Sequence, residues 1–189
     1  MHQGKVTLCS TESNNLTMST NYPKAQNISL GYDPKADRLF LIAHLQSGEI
    51  RKALITRRLL SMLLDRMKDE LVSSHPVAER SSDPNEVLQM EHIAAVQQGQ
   101  SQGSSDNSGS EAPQAEGQLV TEAQIVTQDQ NLVLGLMAED KTPIAGIELD
   151  RGKAHLILKI LVEQAEKAEW GLEKKAAWME PIRYGRGGN

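Results

Sequence analysis

Two short stretches combine a helix-capping residue with clustered cations: Thr56-Arg57-Arg58 and Asp150-Arg151-Gly152-Lys153. Free N–H groups at a helix start carry partial positive charge, and a guanidinium adds two parallel donors. Phosphate or an acidic partner could therefore dock at Arg57, Arg58, Arg151 or Lys153. Against this, no phosphate-binding glycine pattern stands beside either stretch. Arg57 and Arg58 can extend to solvent or pair with Asp and Glu, and the Asp150 carboxylate can occupy the second helix start itself.

The five histidines, His2, His44, His75, His92 and His155, show no spacing with Cys, Asp or Glu that matches a metal site, so no metal is expected. His44 and His155 read as satisfied side chains at a core edge. No GxSxG elbow is present, and the single cysteine, Cys9, lies where no rigid base could hold it. No catalytic residue and no cofactor set is assigned on these grounds. Trp170 and Trp178, with Ala176 and Ala177 near, could form one apolar patch, either as the lid of the core or as an interface with a partner.

The elements that must position these residues follow from apolar periodicity. Arg38–Leu71 is the densest apolar region, and its period changes from two to about three and a half near Thr56, as a hairpin feeding an amphipathic helix requires. Strands are expected over Ala25–Tyr32, Arg38–Leu45 and Glu49–Ile55, the last pair joined by Gln46-Ser47-Gly48. A helix capped by Thr56 runs to about Ser73 with Leu59, Leu60, Leu63, Leu64, Met67 and Leu71 on one side. A shorter helix starts at Asp83-Pro84 and stops near Gln97.

Leu119–Thr127, Leu132–Ala138 and Ile144–Leu149 then read as strands, and Asp150 caps a helix with Ala154, Ile157, Ile160, Leu161, Gln164, Ala165 and Ala168 on one stripe. The expected fold class is α+β: antiparallel sheet or sheets from two strand-strand-strand-helix units, a possible internal duplication, with long amphipathic helices packed on the sheet. The expected organisation is a flexible arm over 1–24, a first unit with its short helix over 25–97, and a disordered linker over 98–117. A second unit over 118–178 and a flexible tail over 179–189 complete it.

Composition narrows the function classes. Six aromatic side chains in 189 residues force an aliphatic core and argue against base stacking, and a net charge of −5 disfavours nonspecific nucleic-acid binding. One cysteine excludes an internal disulfide framework, and neither a signal-type apolar run nor a membrane-length one occurs, so a cytosolic location is expected. The first functional expectation is a non-enzymatic protein-binding or assembly module that self-associates as a homodimer through a sheet edge or helix face. The alternative is single-stranded nucleic-acid binding through Arg38, Arg51, Lys52, Arg57 and Arg58, with Arg183 and Arg186 assisting. An enzyme is the third choice, revived only if His44 or His155 comes beside a carboxylate.

Overall fold

The computed structural model describes residues 21–101, 115–128 and 131–180. In the first half, β1 (Ala25–Asp33), β2 (Arg38–Leu45) and β3 (Ile50–Ile55) lead into α1 (Arg57–Ser73), followed by a 3₁₀ turn (Ala78–Arg80) and α2 (Pro84–Ser101). In the second, β4 (Gly117–Gln128), β5 (Asn131–Ala138) and β6 (Pro143–Leu149) lead into α3 (Arg151–Lys167), then α4 (Glu173–Ala176) and a 3₁₀ turn (Ala177–Met179). The protein is α+β, with six strands in one sheet in sequence order.

That sheet is mixed, which corrects the antiparallel expectation. β3 and β4 run parallel, with Lys52, Ala53 and Leu54 opposite Gly117, Gln118 and Leu119. The reason lies in the connection. A tight hairpin reverses the chain and forces antiparallel pairing, whereas the passage through α1 and α2 is long enough to bring the chain back to the same end of the sheet. A second parallel contact joins the outer strands: Lys24 bridges Gly146, and the Gly146 N–H donates to the Pro23 carbonyl at 2.8 Å. Arg51, on the core side of β3 opposite Ala43, adds a tie by donating to the β6 carbonyls of Pro143 at 2.7 Å and Ile144 at 3.3 Å.

The first hairpins of the two halves pair alike, whereas β5 and β6 carry a register shift that β2 and β3 lack. β1 and β2 pair from Ala25↔Leu45 to Asp33↔Arg38 with a bulge after the first pair. β4 and β5 pair from Val120↔Ala138 to Gln128↔Asn131 with a bulge in the same place. Thr56 Oγ1 accepts from the Leu59 N–H at 3.1 Å and Asp150 Oδ1 from the Lys153 N–H at 2.8 Å, each three residues into a helix of 17 residues. Counted from these caps, buried Leu60, Leu63, Leu64, Met67 and Leu71 of α1 correspond in position to Ala154, Ile157, Leu158, Leu161 and Ala165 of α3.

All of these side chains enter one core with Leu39, Leu41, Leu132, Leu134, Leu136 and Leu149 of the sheet. α1 packs against β4 and α3 against β1, so each helix is covered by the strand that opens the other half. Two details of the α3 stripe differ from the apolar pattern. Ile160 faces out, while His155 and Leu158 face in, because the stripe is wider than the apolar residues alone indicate.

At the boundaries, α2 continues to Ser101, past the helix end read near Gln97, and most of the expected linker, 102–114, lies outside the described residues, as do 1–20 of the arm and 181–189 of the tail. Residues 21–24 lie along β6. The Tyr22 ring rests on Gly135 and Gly146, where an added Cβ would come within 2.4 Å and 2.6 Å of Tyr22 atoms, so no larger side chain fits beneath it.

Candidate functional site

Arg151, at the first position of α3, is the polar hub of the molecule. Its Nε and Nη2 donate to Glu91 Oε1 and Oε2 at 2.6 and 2.7 Å, a two-pronged pair with α2. Nη1 donates to Ser74 Oγ at 2.6 Å, and Nη2 also reaches the Leu71 carbonyl at 3.0 Å, so the same guanidinium binds the end of α1. Burial opposes the charge on Glu91, but Arg151 and His155 outweigh it and hold the carboxyl down at about 2.

This geometry separates the four cationic residues singled out by the sequence. Arg57 and Arg58 are exposed on the first turn of α1. Arg151 contacts the last turn of that helix, and at 1.5 Å per residue the two ends lie about 20 Å apart. Lys153 Nζ is 3.2 Å from Asp150 Oδ2, and both are exposed. The structure thus places Arg151 in an internal network and leaves Arg57, Arg58 and Lys153 exposed.

One turn along α3, His155 is fully buried, with Nε2 3.2 Å from Glu91 Oε2. His92, from α2, and Trp178 lie edge-on to it, with ring centroids 5.4 and 6.0 Å away. Burial first, then the neighbouring His155 and Lys159, push the His92 imidazole down to about 4. A histidine beside a carboxylate is the arrangement of a general base. Here the imidazole has no solvent exposure and the carboxylate is clamped by Arg151, so the pair offers no seat for a substrate. Among the described residues no group of three or more His, Cys, Asp or Glu side chains could hold a metal.

The two tryptophans occupy separate places. Trp170 is buried at the β1–β2 turn, where its indole N–H donates to Asp37 Oδ1 at 2.9 Å and the Tyr32 hydroxyl donates to the same oxygen at 3.2 Å. These donors, Trp170 first, hold the Asp37 carboxyl below its ordinary value, with Arg38 and Arg57 adding to the effect. Asp37 adopts φ 48, left-handed backbone that aims its carboxylate at the two rings. Trp178 is buried against α2 and α3. Both close parts of the core.

The sheet face turned away from α1 and α3 was missed in the sequence, where its residues read only as the second side of strands. Phe40, Leu54 and Leu119 stand in one row across β2, β3 and β4, and Ile50 lies two positions from Lys52 on the same side. Ile50 is 38% exposed and Leu119 42%. Lys52 Nζ sits 5.1 Å from the centre of the Phe40 ring. The faint signal was the unbroken apolar run of β2, which requires cover on both sides.

No helix among the described residues is long and apolar enough to cross a membrane. No known family model matches this chain, and no curated protein or solved structure shows significant similarity to it.

Proposed function

We propose that this chain is a non-enzymatic protein-binding or assembly module of the cytoplasm that associates with a second copy of itself, and that it arose by duplication of one strand-strand-strand-helix unit. The observation that carries the binding reading is the apolar row Phe40, Leu54 and Leu119 with Ile50, on the sheet side that no described helix covers, two of its members being more than a third exposed. Exposed apolar side chains gathered in one row are a candidate contact for another protein. Support for the duplication comes from the shared bulge position, the equal helix lengths and the matching buried positions. Each half leaves one strand to be met by the other, at β3–β4 and at Lys24–Gly146, which is the geometry of a two-fold dimer joined into one chain.

Light scattering coupled to size exclusion, run over a concentration series on the full chain, tests self-association. The expected result is a dimer mass that falls to the monomer value when Ile50 and Leu119 are both changed to Glu. A wild-type monomer at every concentration overturns it.

One observation favours a second reading, single-stranded nucleic acid: Phe40 and Lys52 pair an aromatic ring with a cation on an open sheet face. Arg51 weakens it, since that side chain points to the core side and β6. Fluorescence anisotropy with a labelled oligonucleotide at low and moderate salt separates the readings. Affinity that falls steeply with salt would favour nucleic acid over protein.

A further inference from the structure

Trp178 lies in the segment that follows α3 and turns back across α2, and its ring completes a triangle with two imidazoles. The centroid separations are 5.4 Å for His92–His155, 5.8 Å for His92–Trp178 and 6.0 Å for His155–Trp178. All three side chains are buried, and Nδ1 of His92 and Nδ1 of His155 have no hydrogen-bond partner among the described residues. The segment is tied to α2 once more, where the Gln89 side-chain amide donates to the Glu180 carbonyl. Through α4 it also packs on α1 and α3, and Lys175 pairs with Asp65 of α1.

We propose that this triangle is an acid-sensitive latch: with the His92 imidazole neutral the turn carrying Trp178 and Met179 stays seated on α2, and a proton on His92 expels it and uncovers the α2–α3 surface beneath. The argument is electrostatic. His155 has an anion at hand, Glu91 Oε2 at 3.2 Å. His92 has none. From α3 it faces His155 and Lys159, whose ammonium pairs with Glu163, and from the 3₁₀ turn it faces the Trp178 ring. Glu91, its neighbour on α2, is taken up by Arg151 and His155. α1 brings the Leu71 carbonyl and Ser74 hydroxyl to this corner, and Arg151 holds both. The turn Ala78–Arg80 also packs on α2, with its charged Glu79 and Arg80 side chains exposed to solvent.

A buried imidazolium without a counter-ion must regain water, and the lightest body that can move to admit it is the short turn above it. Burial, with His155 and Lys159, keeps His92 neutral until the pH approaches about 4. The latch is therefore closed at neutral pH. This inference stands apart from self-association and does not need it.

The test is the tryptophan emission of the full chain through an acid titration, with the Trp178→Phe signal subtracted so that only Trp178 is read, and far-ultraviolet circular dichroism in parallel. The expected result is a red shift of Trp178 with its midpoint near pH 4 and unchanged secondary structure. His92→Phe or His92→Gln, whichever folds to the wild-type dichroism, should abolish the shift. No shift in the wild type, a shift that coincides with loss of dichroism, or one that survives the His92 replacement overturns the proposal.

Discussion

Removing the Arg151 guanidinium leaves the half-buried Glu91 carboxylate, the Ser74 hydroxyl and the Leu71 carbonyl without their common donor. Breaking a pair of this kind by deleting one partner costs roughly 3 kcal/mol, and Arg151→Ala should lower the urea midpoint accordingly. Arg57→Ala, exposed at the other helix start, should stay within about 0.5 kcal/mol of wild type in the same experiment. Acid acts on the same corner. His92 is held at about 4 against an ordinary 6.5, and Glu91 at about 2 against 4.5. Both values are depressed, so each group contributes stability that is complete above its ordinary value and lost as the pH falls through the folded one. Urea titrations at stepped pH should therefore show one decline between 6.5 and 4 and another between 4.5 and 2, the second shallower in Glu91→Gln, where Asp37 and the other depressed carboxyls still contribute. None of this network was visible in the sequence. Arg151 and His155 carry no mark of their partner Glu91, which arrives from a separate helix, and a polar residue such as His155 does not register on an apolar stripe.

Elements were read with more success wherever their signal is local. The stripe of α1 and the caps Thr56 and Asp150 depend on residues within a turn or two, so spacing alone placed them. Thr56→Ala and Asp150→Ala should each cost about 1 kcal/mol in chemical denaturation, since each leaves one N–H of its helix start without a partner. The parallel seam could not be read in the same way, because an apolar strand fits a parallel or an antiparallel neighbour and only the course of the connection decides. Tyr22 is a second case: an isolated ring in a polar stretch, whose seat is two glycines of β5 and β6. Gly135→Ala should expel that ring and destabilise by about 1–3 kcal/mol, and Tyr22→Ala in the same chain should recover part of the loss, as thermal melts of the single and double variants would show.

At the level of the whole molecule, side chains of both halves meet in one core, so the halves are expected to unfold together. Leu64→Ala and Leu158→Ala, at matching positions of α1 and α3 counted from their caps, should each remove about 2–5 kcal/mol and move a single transition without splitting it. Two resolved transitions in calorimetry would contradict a shared core. The outer strands, by contrast, are held to each other by little: the bridge between Lys24 and Gly146, the Gly146 N–H bond to the Pro23 carbonyl, and Tyr22 seated on Gly135 and Gly146. Under tension applied at its two ends, the chain would yield there first. A single-molecule pulling trace should begin with a small early rupture, as the stretch before β1 peels off β6, and only afterwards show the large event in which the remaining sheet, α1 and α3 give way.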